Sequence, residues 1–290
     1  MEALVARAPA KLNLSLAITG RRADGYHTLD SLVAFARFGD TLTLQPGLPL
    51  ALEVEGATAA ASGPAADNLV LKAAGHFAAL FAGAALGHFH LVKRIPVAAG
   101  LGGGSSDAAA ALRLLAKAHN VAPDHAAVFE AARRTGADVP VCLAAKPRFM
   151  RNIGDELGPV LDLPPLICVL VNPGVALATG EVFAAMRLTP GATALAATAP
   201  LISAAMPAAS LMAALQGSGN DMEDAAQVLA PVIGGVLAVL GGAPGCRLAR
   251  MTGSGATCFG LFTTRRGAQS AVAAIRRGHP EWWVRASALG

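Results

Sequence analysis

The stretch Pro96-Val-Ala-Ala-Gly-Leu-Gly-Gly-Gly-Ser-Ser-Asp107 constrains this chain more than any other. Glycines at 100, 102, 103 and 104 remove every Cβ that would keep a ligand off the backbone and admit the positive φ values of a cupped turn. The loop can therefore aim several N–H groups at one anion. Ser105, Ser106 and Asp107 are expected to cap the alanine-rich, strongly helical run Ala108 to Ala118. A helix that opens there offers unpaired N–H groups and partial positive charge, which suit phosphate. No Gly-Lys-Ser/Thr follows, so this is not a Walker A loop. Ser105 occupies the place of a third dinucleotide-binding glycine, and no second strand with a ribose-binding acid follows. A protein-kinase glycine loop lies between two strands, whereas this one runs into a helix. Apolar, periodic flanks separate it from a Gly-Ser linker.

The chain's 290 residues leave room for two modest domains. Hydrophobic content is 54% and mean hydropathy +0.51, but alanine and glycine supply much of both, so a soluble globular enzyme is the expected class. The apolar run from Ala225 to Arg247 contains Gln227, Pro231 and paired glycines at 234–235 and 241–242. It is a poor spanning segment, expected instead to be a buried helix ending at Gly241, and no membrane partner is implied. Met1-Glu-Ala-Leu-Val-Ala-Arg7 lacks the pattern of a secretory signal. Cysteines 142, 168, 246 and 258 stand singly, suggesting neither a zinc site nor a disulfide framework and pointing to the cytoplasm. A net charge of +4 without a Lys/Arg-rich block argues for anionic small substrates and against nucleic acid.

Residues 11–18 alternate as a half-buried strand, with Lys11 and Asn13 on its polar face. Turn residues then display Tyr26, the single tyrosine, beside His27. Strands are expected at Leu32–Phe38, Thr41–Gln45 and Leu50–Val54, with turns at Gly39-Asp40 and Pro46-Gly47, as an antiparallel meander. Asp67-Asn68 should cap a helix containing Leu69, Ala73 and Phe77. His88 and His90 form a half-exposed pair with no third ligand at metal spacing. Lys93 precedes the glycine loop. A further helix runs through Glu130 and Arg134, and Asp138 stands at a helix start before Val139-Pro140. Residues 151–158 and 163–166 read as a passage between domains, dividing the chain into 1–160 and 161–290. A buried strand Ile167–Val171, a helix opened by Thr179 and Phe183, an uninformative alanine-rich stretch 186–215 and a glycine turn at 253 and 255 complete the order.

The pattern P-x-x-x-G-L-G-G-G-S-S-x-A-A resembles the second motif of the GHMP kinases, named for galactokinase, homoserine, mevalonate and phosphomevalonate kinases. Ala8-Pro-Ala-Lys-Leu-Asn-Leu14 resembles the first motif, and Arg250-Met-Thr-Gly-Ser-Gly-Ala-Thr-Cys-Phe259 the third. The string R-x-D-G-Y-H-x-L at 22–29 is similar to one found in the branch that phosphorylates a cytidine diphosphate-linked polyol. The resemblance implies a two-domain α+β fold, its N-terminal domain like ribosomal protein S5 domain 2 and its C-terminal domain ferredoxin-like, with the site in a cleft. It implies transfer of the ATP γ-phosphoryl group to a 2-hydroxyl, with Mg²⁺ on the nucleotide and no assignable protein ligand for the metal.

By the same resemblance Lys11 and Asp138 are catalytic, though Asp138 taken alone reads as a helix N-cap, and the two readings can hold together. Pro96, Val97, Ala98, Ala99, Gly100, Leu101, Gly102, Gly103, Gly104, Ser105 and Ser106 would hold ATP, joined by Lys93 and by Asn68, which also reads as a plain cap. Asn13, Tyr26, His27, Thr179 and Phe183 would hold the acceptor, and 219–223 is implied to be structural. A monomer or homodimer fits. The rival readings are a homoserine or mevalonate type of kinase, a non-catalytic nucleotide-binding module, and an RNA binder.

Overall fold

A computed structural model describes residues 2–193, 199–203 and 205–290. In chain order the elements are β1 (Leu4–Asn13), β2 (Ala17–Arg21), β3 (His27–Gln45), β4 (Ala51–Glu55), α1 (Leu69–Leu80), β5 (His88–Val92), α2 (Gly103–Ala118), α3 (Ala126–Thr135), α4 (Val139–Ala144), β6 (Arg148–Asn152), β7 (Glu156–Leu157), β8 (Leu166–Asn172), α5 (Thr179–Ala185), α6 (Ala208–Gln216), α7 (Glu223–Leu229), α8 (Val232–Gly241), β9 (Cys246–Met251), β10 (Cys258–Phe262), α9 (Arg265–Gly278) and β11 (Trp283–Leu289). This is the α+β class expected from the sequence. The stretch 186–215 includes 194–198 and 204, which lie outside the described residues. Two compact units divide the chain discontinuously, because β1 and β3 each leave one unit and enter the other.

The first unit comprises Met1–Lys11, Phe38–Val97 and Gly102–Ala145. Its sheet pairs the end of β3 antiparallel with β5, and β5 parallel with β4. A parallel pair needs a crossover, and α1 lies within it. On α2 the alanines 108–111 and 116 are fully or almost fully buried with Leu112, Leu114 and Leu115, so small side chains let α1, α3 and α4 pack close to it. Phe77 of α1 is wholly buried, a contribution of about 1.5–3 kcal/mol.

The expected meander does not form. Residues 27–45 are one strand that passes straight through Gly39-Asp40. A Cβ on Gly39 would overlap Ala8 O and Pro9 Cα, so glycine serves the close approach of β1 rather than a turn. Asp40 is wholly buried because its carboxylate is occupied, as described below. The segment expected at 50–54 pairs with β5, not with β3.

The second unit comprises Leu12–Arg37, Ala98–Leu101 and Lys146–Gly290. Here β8 lies between β10 and β11, and β9 lies outside β10, all antiparallel. The sequence β8, helices, β9, β10, α9, β11 with spatial order β11-β8-β10-β9 is the ferredoxin-like arrangement. Its core gathers Val169, Val171, Val182, Ile233, Val236, Leu240, Phe262, Ile275 and Val284. The start of β3 pairs with β2 and β6.

Two further expectations are corrected. The apolar run is split at Ala230-Pro231 into α7 and α8, of which α8 does end at Gly241. Proline lacks the N–H and clashes with the preceding turn, which ends the first helix. Among the described residues no helix is long and apolar enough to cross a membrane. The strand expected at 11–18 is broken between Asn13 and Ala17, and its polar side is not solvated: Lys11, Asn13 and Ser15 are 4%, 3% and 2% exposed.

Candidate active site

Two groups of residues carry the expected chemistry, one in each unit. In the first, Lys11 Nζ donates to Asp138 Oδ2 at 2.8 Å. Asp138 precedes α4, yet its side chain makes no capping bond. Pro140 in the first turn removes one of the N–H groups that a cap would satisfy. The carboxylate is free to face Lys11, and its side chain keeps 36% exposure against 6% for the lysine. One buried cation thus holds one accessible carboxylate, an arrangement able to accept a proton from a nearby hydroxyl.

The glycine loop rests on the same lysine. Gly102 has φ +60°, and a Cβ there would stand 3.2 Å from Lys11 Cβ. Helix α2 starts at Gly103, earlier than expected, so Ser105, Ser106 and Asp107 lie inside it rather than capping it. The first N–H groups of a helix have no partner within it, and Gly104 at this end is exposed. Ser106 is different: its N–H bonds to Gly102 O and its hydroxyl to Pro9 O. A Cβ on Gly103 would face Ile95 and Lys93, and one on Gly104 would face Leu69 at 3.5 Å. Gly103 therefore lets the loop approach its own scaffold closely, while Gly104 would meet only an ordinary contact. Asn68 is a cap, its side chain accepting from Val70 N at 3.0 Å.

Lys93 is enclosed beneath the loop. It is 4% exposed, and its ammonium donates to Asp40 Oδ2 at 2.5 Å and Asp107 Oδ2 at 2.7 Å. Asp40 Oδ1 in turn accepts from the N–H groups of Arg94 and Ile95. A lysine committed to two buried carboxylates braces the loop from within. Burial opposes its charge, but Asp107 and Asp40 more than offset this and raise its pKa. Burial, with Asp40 nearby, pushes Asp107 up to about 7 against the pull of Lys93. Neither aspartate stood out in the sequence: Asp40 read as a turn residue and Asp107 as a cap.

In the second unit, the beginning of the loop interlocks with the third glycine motif. Gly100 has φ +73°, and a Cβ there would fall 2.5 Å from Thr252 O and 2.8 Å from Gly255 O. A Cβ on Gly253 would fall 2.9 Å from Gly100 O. The approach expected of Gly253 and Gly255 is therefore present. The segment 219–223 clasps this turn: Asn220 Nδ2 donates to Met251 O and Gly253 O, and Glu223 Oε2 accepts from Met251 N.

The residues expected to hold the acceptor lie in this unit too. Asn13 N donates to Thr252 Oγ1 and Asn13 Nδ2 to Ser31 Oγ, while Asn13 Oδ1 is buried without a partner. Thr179 Oγ1 lies 2.8 Å from Ser254 Oγ. His27 stacks on Phe183 with centroids 4.2 Å apart, and its Nε2 is buried and unpartnered. Burial lowers the His27 pKa, assisted by Arg21. Tyr26 stands apart, 62% exposed at the turn. Ser31, Thr252 and Ser254 were not predicted; only the last two had a visible signal, their place beside glycines. Among the described residues no group of three His, Cys, Asp or Glu is placed to hold a metal ion, His88 and His90 included.

Family models for the GHMP kinases N terminal domain and the GHMP kinases C terminal domain match residues 68–146 and 201–281. The chain is 56% identical over 285 residues to a 4-diphosphocytidyl-2-C-methyl-D-erythritol kinase of Methylobacterium radiotolerans, covering 98% of each chain. It is 55% identical to the protein of the same name from Xanthobacter autotrophicus over the whole of both chains. A crystal structure of 4-(cytidine 5'-diphospho)-2C-methyl-D-erythritol kinase superposes with a TM-score of 0.76 at 31% identity, covering 99% of both chains. A homoserine kinase from Cytophaga hutchinsonii shares the fold, with a TM-score of 0.69 at 18% identity over 99% of this chain and 95% of its own.

Proposed function

The chain belongs to the 4-diphosphocytidyl-2-C-methyl-D-erythritol kinases of the GHMP kinase family, and on that premise we propose how its residues divide the reaction. The protein transfers the γ-phosphoryl group of ATP to the 2-hydroxyl of 4-diphosphocytidyl-2-C-methyl-D-erythritol, a step of the non-mevalonate route to isoprenoid precursors. The observation that carries the assignment is the Lys11–Asp138 pair. Asp138 accepts the hydroxyl proton as the oxygen attacks. Lys11 orients Asp138 and offsets charge on the transferring group.

Phosphates rest on the N–H groups of Gly103, Gly104 and Ser105 at the start of α2, where the dipole favours anions. Pro96 to Gly102 shape the loop around the nucleotide, with Ser106 bracing it and Asn68 beside it. Mg²⁺ bound with ATP would supply charge neutralisation on the phosphates. Tyr26, His27 and Phe183 receive the cytosine, while Asn13 and Thr179 hold the rest of the acceptor. The unpartnered Asn13 Oδ1 and His27 Nε2 support this, since buried polar atoms are rarely left unsatisfied.

We further assign the two family domains to 1–160 and 161–290, each of which contains one matched segment whole. The four free cysteines support work in the cytoplasm, as monomer or homodimer. The test is phosphorylation by Mg-ATP of the diphosphocytidyl substrate beside homoserine and mevalonate. Turnover of the first alone is expected, because the other two carry no base for His27 and Phe183. Equal turnover of homoserine or mevalonate would overturn the cytosine assignment.

A further inference from the structure

Three charged side chains lie beneath the phosphate loop and take no part in the chemistry above. Lys93 follows directly after β5, Asp40 stands on β3 and Asp107 lies in the second turn of α2. All three are at most 4% exposed. The position a Cβ would take on Gly103 is 3.4 Å from Lys93 Nζ, so the ammonium sits under the first turn of the helix. The two carboxylates grip it from opposite elements, and Asp40 also holds the backbone of Arg94 and Ile95, which leads into the loop.

Burying three charges is costly unless geometry is good, so such a cluster needs a reason beyond stability. We propose that Asp40, Lys93 and Asp107 form a positioning cluster for the phosphate loop, in which Lys93 acts on ATP binding through Asp107 and the first turn of α2 rather than by contact. The proposal rests on the reading of the loop as the ATP site. With both carboxylates ionised the cluster carries one net negative charge beneath a helix end meant for phosphate. With Asp107 protonated the net charge is zero. ATP binding therefore favours the protonated form, and Asp107 carries pH into ATP affinity.

The charges that face Asp107 are Lys93, just past β5, and Asp40 from β3. Cys142 of α4 senses Asp107 but is kept a neutral thiol, its pKa pushed by burial up to about 12. Helices α1 and α3 also pack on α2, and among the described residues they bring Asp107 no charge.

The experiment measures KM for Mg-ATP and for the diphosphocytidyl substrate, at saturating Mg²⁺ and from about pH 6 to about pH 8, in the full chain and in Asp107→Asn and Lys93→Met. Direct Mg-ATP binding is followed in parallel by thermal shift. In the wild type the KM for Mg-ATP should rise with pH by about 2- to 10-fold, the scale of a unit charge near a helix end. Asp107→Asn should flatten that rise, and the KM of the acceptor should not follow it. Lys93→Met, if folded, should raise the KM for Mg-ATP while leaving that of the acceptor near wild type. If it does not fold, Asp107→Asn decides alone. An Asp107→Asn enzyme that keeps the wild-type pH profile, or a folded Lys93→Met enzyme with a wild-type KM for Mg-ATP, overturns the proposal. Absence of any Mg-ATP binding by the wild type would instead overturn the reading of the loop.

Discussion

Lys11 Nζ lies 2.8 Å from Asp138 Oδ2 although 127 positions separate them in the chain. The aspartate begins a helix it does not cap, so its carboxylate is engaged by Lys11 rather than by the helix end. Asp138→Asn keeps the shape and removes the base. Turnover should fall by about 10²–10⁴ while both substrates still bind. Stability should change by less than the ~1 kcal/mol of a lost cap, since no capping bond is present to lose. Lys11→Ala should also cut turnover, and the double variant should lose less than the product of the two, because the pair acts as one unit. Single-turnover rates at saturating substrates check this; near-normal rates in Asp138→Asn would remove the base from the mechanism.

Gly100 and Gly104 should respond oppositely to alanine. At Gly100 a Cβ meets Thr252 O and Gly255 O at a φ of +73°. The left-handed backbone alone costs about 1–2 kcal/mol with a side chain, before the clash is counted. Gly104 lies within α2, and its nearest neighbour would be Leu69 Cδ1 at 3.5 Å, an ordinary contact. There alanine gains about 0.8–1 kcal/mol of helix propensity. Gly100→Ala should lose most of its stabilisation by Mg-ATP in a thermal melt and Gly104→Ala should retain it. The reverse order would mean that Gly104, not the interlocked turn, sets the nucleotide site.

The parts of this site that could be read from the sequence are those in which residue type and local spacing determine the outcome. The glycine loop, the cap at Asn68, the helix start at Asp138 and the interlocking Gly253 turn are of that kind. The ferredoxin-like order followed from the resemblance rather than from periodicity. Gly39-Asp40 misled because glycine beside aspartate reads as a turn, whereas here Gly39 admits β1 and Asp40 meets Lys93, a partner 53 residues away. Long-range ion pairs leave no local pattern. The two carboxylates that hold the Lys93 ammonium were therefore not legible in the sequence.

The base pocket gives a prediction about pH. His27 is stacked on Phe183, and burial lowers its pKa below 6.5, so the neutral ring is the form present at pH 7. Neutral imidazole presents both a donor and an acceptor to a base edge. The KM of the diphosphocytidyl substrate should be flat at neutral pH and rise only as acidification passes the lowered pKa. Tyr26→Ala should raise that KM by the loss of about 1–3 kcal/mol of stacking and leave Mg-ATP binding near wild type. Equal losses for both substrates would move Tyr26 to the nucleotide.

Asp107 makes a prediction about stability that is independent of turnover. Its folded pKa is raised by burial from 3.8 to about 7, whereas the unfolded chain keeps the ordinary value. Between these two values the folded state binds more protons than the unfolded state. Stability therefore falls as pH rises through this window, and the contribution of Asp107 is fully present below the unfolded pKa and gone above the folded one. Asn at this position has no proton to lose, so Asp107→Asn should flatten the decline between about pH 4 and about pH 7. Other carboxylates titrate in the lower half of this range, so the difference between wild type and variant is the quantity to follow. Urea midpoints taken across the range provide it. Parallel curves for the two proteins would mean that Lys93 keeps Asp107 ionised throughout, and that the cluster beneath the loop carries its negative charge at every pH.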